Sequence, residues 1–133
     1  MRLLRRLKSV PLLLATSCCA ENVCPWLNAA TAAGSLGGPV TASVNPAVCE
    51  FVHEQNSLHI EVRVKPASIS AKCESGIPIK GIGNEAVECS TSGREMVIGR
   101  VRDRRSVVWI QSSDPAVKTR ARKVAEQVAG NLF

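Results

Sequence analysis

The chain has 133 residues, 45% of them hydrophobic but only 3% aromatic, with 17 Lys and Arg against 11 Asp and Glu. That length allows one domain. Arg2, Arg5, Arg6 and Lys8 account for most of the positive excess, and so few aromatic residues leave little to stack bases on, so composition argues against a nucleic-acid partner.

The first twenty residues read as a secretory signal peptide: the basic start, a short apolar run from Val10 to Ala15, then small residues suited to cleavage. The run is well short of the ~20 residues that cross a bilayer as a helix, so no permanent membrane span is expected. Cys18 follows Leu14-Ala15-Thr16-Ser17, a sequence like the lipobox of bacterial lipoproteins. Lipidation of Cys18 and plain secretion with cleavage after Ser17 or Ala20 are both open. Residues 1–20 are therefore assigned to targeting and 21–133 to a single domain.

Beyond Cys18 and Cys19 the chain keeps Cys24, Cys49, Cys73 and Cys89. Four cysteines in a small exported domain read as two disulfides, for which three connectivities exist. Cys24 with Cys49 and Cys73 with Cys89 are preferred, being sequential and needing no threading. A four-cysteine zinc site is disfavoured because this set contains no C-x-x-C pair.

Asn28 is suited to cap a helix from Ala29 to about Leu36, with Ala29, Ala33 and Leu36 on one face, Gly37 at the left-handed C′ position and Pro39 as a stop. Val40 to Val44 reads as a short edge strand before the Asn45-Pro46 turn. Val48 to His53 and Leu58 to Lys65 follow as strands, with Cys49 and Phe51 sharing a face. In the second, Leu58, Ile60, Val62 and Val64 alternate with His59, Glu61, Arg63 and Lys65, as a half-buried antiparallel strand requires.

Pro66 to Lys80 suggests one helical turn at Ala67 to Lys72 and otherwise an irregular loop. Gly81-Ile82-Gly83 turns the chain into a strand ending near Cys89. Met96 to Arg102 and Ser106 to Gln111 are two further strands around an Asp103-Arg104-Arg105 turn, with Val108 and Ile110 inward and Trp109 outward. Last comes a helix capped by Asp114 and started by Pro115. Val117, Ala121, Val124, Ala125, Val128 and Leu132 form its apolar stripe, with Lys118, Arg122, Lys123 and Glu126 opposite.

The order of these pieces resembles a group of bacterial cell-envelope lipoproteins known as a domain of unknown function. The residues that carry the likeness are Cys24 before the alanine-rich helix, the Leu36-Gly37-Gly38-Pro39-Val40 stop, Cys49-Glu50-Phe51, the Gly81-Ile82-Gly83-Asn84-Glu85-Ala86 turn and the final helix. Asn28 stands where that group has a threonine cap, and the Cys73 and Cys89 pair is a local addition. The resemblance implies an α+β domain with an antiparallel sheet, for which about five strands are expected, and implies no activity.

Chemistry-bearing patterns are sparse. His53 and His59 lie on one hairpin without an evident third ligand, so no metal is assigned. Gly81-Ile82-Gly83 lacks the rest of a dinucleotide fingerprint, no nucleophile elbow is present, and Glu85 and Glu88 read as surface acids. No cofactor is expected. The basic group Arg100, Arg102, Arg104 and Arg105 is placed with Arg100 and Arg102 on one sheet face, and Arg100, Arg102 and Trp109 form the candidate interaction face for an anionic group. The expectation is a non-catalytic envelope binding module, tied to the membrane through an N-terminal lipid if Cys18 is modified. A small hydrolase or transferase subunit and a ligand carrier with a pocket between the last helix and the sheet are the alternatives.

Overall fold

The computed structural model describes residues 23–56, 58–69, 71, 73–91, 93–112 and 114–133. The signal-peptide and Cys18 assignments lie outside these residues. The domain is α+β: a single antiparallel sheet with two helices packed on one of its faces. The strands are β1 (Val40–Asn45), β2 (Val48–His53), β3 (His59–Pro66), β4 (Ile77–Ile79), β5 (Glu85–Thr91), β6 (Arg94–Val101) and β7 (Arg104–Gln111). Helix α1 spans Ala29–Leu36 and α2 Val117–Gly130.

Spatial order is β1-β2-β3-β7-β6-β5-β4. Seven strands among the described residues replace the expected five or so. Six of them correspond to strand segments read in the sequence, and the one without a counterpart there is β4, a three-residue piece with Pro78 at its centre, where neither length nor alternation marks a strand.

Helix α1 is set by cap chemistry. The Thr31 N–H donates to Asn28 Oδ1 at 2.7 Å, and Gly37 closes the helix at φ +85°, donating to the Ala33 carbonyl. Its packed positions are Ala32 and Leu36, whereas Ala29 is exposed and Ala33 half-buried, so the buried face is rotated from the expected one. The Cys24–Cys49 disulfide ties the segment before α1 to the start of β2, with Cα atoms 6.0 Å apart.

Helix α2 lies over β6 and β7 and buries Ala121, Val124, Ala125, Val128 and Ala129. Asp114 does not cap it directly. Its Oδ1 accepts the Ala116 N–H at 2.8 Å one turn earlier, and the helix starts at Val117 rather than Pro115. Two contacts join the helical layer: Arg120 donates to the Ser35 carbonyl at 3.0 Å, and Asn131 Nδ2 to the Trp26 carbonyl at 2.8 Å.

Side chains of one parity on the strands meet the helices. Phe51, Ile60, Val62, Val97, Val108 and Ile110 are all 1% exposed or less and form the core with α1 and α2. The opposite parity, including His59, Glu61, Arg63, Met96, Ile98, Val107 and Trp109, forms a face that no helix of the described residues covers.

Part of that second face is covered by the chain itself. Residues 67–76 connect β3, in mid-sheet, to β4 at the far edge, and must pass β7, β6 and β5. Arg105 holds this crossover by donating to the carbonyls of Ala67, at 2.9 Å, and Ile69, at 3.1 Å. The Cys73–Cys89 disulfide, with Cα atoms 6.1 Å apart, fastens it to β5. Both preferred cysteine pairings are thus present.

Candidate functional site on the open sheet face

The uncovered remainder of the second face centres on Trp109. Register places Trp109 on β7 between Glu61 of β3 and Met96 of β6. The indole Nε1–H donates to Glu61 Oε2 at 3.0 Å, and the same oxygen accepts from Arg63 Nε at 2.6 Å. His59 meets the ring edge-on with centroids 4.4 Å apart, and the Arg94 guanidinium carbon lies 4.3 Å from the ring centre. Aromatic rings attract cations through their quadrupole, so the indole holds Arg94, and no carboxylate of the described residues pairs with it.

Electrostatics in this cluster favour the ionised form of Glu61. Burial of Glu61 opposes ionisation, but the hydrogen bonds from Arg63 and Trp109 and the Arg63 and His59 charges outweigh it, leaving its pKa below the ordinary carboxylate value. Glu61 is only 8% exposed, although its position in the alternation predicts an outward residue. The indole and the Arg63 side chain exclude water from it.

The expected face of Arg100, Arg102 and Trp109 is divided. Arg100 and Trp109 both project on the open side of the sheet, four strand positions apart in register. Arg100 is already engaged, donating to Glu85 Oε1 at 3.0 Å and to the Arg102 carbonyl at 2.8 Å. Arg102 is not a strand residue. It occupies the two-residue Arg102-Asp103 turn at φ +57°, its N–H donating to Asn84 Oδ1 at 2.6 Å. The turn was expected at Asp103-Arg104-Arg105, and Arg105 instead points under the crossover. Arg63 and Arg94, which sequence alone did not single out, are the cations beside Trp109.

His53 and His59 sit on opposite faces of the sheet and cannot converge on one ion. His53 is buried on the helical side, its Nδ1 accepting the Gln55 N–H at 3.1 Å. Among the described residues no group of three or more His, Cys, Asp or Glu side chains is placed to hold a metal.

Glu85 is exposed on the open face, but Glu88 is buried on the helical one, which corrects its reading as a surface acid. Glu88 and Glu95 lie diagonally across β5 and β6, beneath α2. Glu88 Oε1 accepts from Arg122, whereas Glu88 Oε2 is buried with no hydrogen-bond partner among the described residues. Glu95 accepts from Ser90 Oγ at 2.7 and 2.8 Å. Burial and the neighbouring Glu88 raise the Glu95 pKa, only partly opposed by Ser90 and Lys118. These two carboxyls are buried between the sheet and α2.

Two cavities are notable. One, of about 460 Å³, opens between the crossover and β5 and β6, with Ala71, Cys73, Gly76, Val87, Ile98 and Arg105 in its wall. The other, of about 330 Å³, lies at the ends of β3 and β7 beside Pro66 and Arg104. Neither contains Glu61 or Glu95, the carboxyls with displaced pKa values. The α2–sheet seam proposed for a carrier pocket is filled by Ala121, Val124, Ala125 and Val128.

Two disulfides fit an oxidising, extracytoplasmic environment. No helix among the described residues is long and apolar enough to cross a membrane. Comparison of the chain with protein-family models, curated proteins and solved structures returned no match.

Proposed function

We propose that this chain is an exported cell-envelope domain, anchored through a lipid on Cys18, that binds an anionic partner with the helix-free face of its sheet and performs no chemistry of its own. The observation that carries the reading is Trp109, half-buried on that face, with the Arg94 guanidinium against its ring and Glu61 gripping its N–H. Such an arrangement presents a flat ring and a cation whose hydrogen-bonding edges no carboxylate of the described residues takes, a combination suited to a phosphate or carboxylate group.

Export is supported by the signal-like first twenty residues, the two disulfides and the resemblance to envelope lipoproteins. The hydrolase or transferase alternative needs polar groups converging on a cavity, and the displaced carboxyls lie elsewhere. Intact-mass analysis of the protein recovered from cell envelopes tests the anchoring. A diacylglyceryl adduct on Cys18 is expected, and an uncut N-terminus in the cytoplasmic fraction would overturn it.

A further inference from the structure

β1 forms one edge of the sheet, and no strand of the described residues pairs with its outer side. Its outward-facing backbone groups follow from the bonds on its inner side. The Glu54 N–H donates to the Pro39 carbonyl at 3.0 Å, and Pro39 extends the register in which Thr41 opposes Val52 and Ser43 opposes Glu50. Hydrogen-bonded pairs alternate along an antiparallel ladder. Thr41, Ser43 and Asn45 therefore turn their N–H and C=O groups to β2, and Val40, Ala42 and Val44 present theirs to the outside.

The side chains have a matching symmetry. Val40-Thr41-Ala42-Ser43-Val44 reads almost the same in both directions, and its centre, Ala42, is also the centre of the three outward-facing residues. The strand carries no charge, no internal proline and no bulge, the devices by which edges are kept from pairing. The opposite edge, β4, is three residues long and blocked by Pro78.

We infer that β1 pairs with β1 of a second copy of this chain, antiparallel about a twofold axis that passes between the two Ala42 residues, to make one continuous sheet. Ala42 exchanges both backbone hydrogen bonds with Ala42 of the second copy, and Val40 does the same with Val44. Thr41 opposes Ser43, hydroxyl to hydroxyl, and no like charges meet. Because opposing residues share a parity, both copies keep their helices on the same side and their Trp109 faces on the other. A contact of five residues per copy buries less than the roughly 800 Å² per partner of a standard interface, so the dimer forms reversibly with concentration.

Sedimentation velocity of the disulfide-bonded protein over a hundredfold concentration range, with hydrogen exchange at both ends of the range, tests this. The mean mass is expected to rise toward twice that of one chain, and exchange at the Val40, Ala42 and Val44 amides to slow with concentration. Ala42→Pro deletes an outward donor without removing a bond to β2, a tolerated place for proline, and is expected to stay monomeric with an unchanged circular dichroism spectrum. Should that variant not fold, the concentration dependence of those three amides decides. A monomer at every concentration, a folded Ala42→Pro that still dimerises, or a dimer with those amides unaffected would each overturn the inference.

Discussion

The Trp109 indole and the Glu61 carboxylate, from neighbouring strands β7 and β3, are joined by a 3.0 Å hydrogen bond on the helix-free face of the sheet. This bond orients the ring, and Arg63 completes the partners of the same oxygen. Glu61→Ala leaves both donors without their acceptor and removes a charge-assisted bond. It should cost about 2 kcal/mol at neutral pH, read from the midpoint of urea unfolding, whereas Glu61→Gln, which keeps one acceptor, should cost less.

The same bond sets a pH dependence. The folded-state pKa of Glu61 is lowered, so its contribution is fully present above the ordinary carboxylate value and is lost as pH falls through the folded value. Thermal unfolding at a series of acidic pH values should show wild type losing stability there more steeply than Glu61→Gln.

Glu95 has the opposite sign. Its folded pKa is raised, so the stability it contributes is present below the ordinary carboxylate value and is lost as pH rises through the folded value. Glu95→Gln supplies a permanent donor beside Glu88 Oε2, which has no partner among the described residues, and can still accept from Ser90. It should stabilise the protein at neutral pH, on the order of 1 kcal/mol, with the gain shrinking toward acidic pH in the same unfolding series.

Gly83 stands at φ +60°, and an added Cβ would lie 2.6 Å from the Arg100 carbonyl oxygen and 2.9 Å from Val101 Cγ2. That carbonyl also accepts the Asn84 N–H at 2.7 Å, so it cannot retreat without loss. Gly83→Ala should destabilise by about 2 kcal/mol or more through strain and displaced backbone, a fall of several degrees in Tm for a domain of this size.

Each disulfide closes a loop, of sequence separation 25 for Cys24–Cys49 and 16 for Cys73–Cys89. Chain entropy assigns about 3 kcal/mol to each. Serine at both Cys73 and Cys89 should also free the crossover, so limited proteolysis should cut within residues 67–76 of that variant before it cuts wild type.

What could be read before the fold was known depended on how local its cause is. Cap chemistry at Asn28 and Gly37 delimited α1, and strict alternation gave β3 its inner and outer faces. Alternation puts Glu61 and Arg63 on the outer face, where they lie, but the burial of Glu61 depends on Trp109, 48 residues away along the chain. Arg94 over Trp109 and Glu95 beside Glu88 likewise arise from the β5–β6–β7 register, which no single strand encodes. Arg102 at a position of positive φ concealed the turn, because no glycine or asparagine marked it. The crossover read as an irregular loop because it follows no period of its own and is held by Arg105 and a disulfide.

The most direct test of the binding face is backbone amide chemical-shift mapping of the disulfide-bonded protein titrated with vesicles of phosphatidylglycerol and, separately, a soluble polyanion such as polyglutamate. At least one anionic probe should perturb the amides around His59, Arg63, Arg94 and Trp109, and Arg94→Gln and Trp109→Ala should weaken its binding severalfold. Perturbations confined to α2 or to the cleft under the crossover, or none with either probe, would contradict the account.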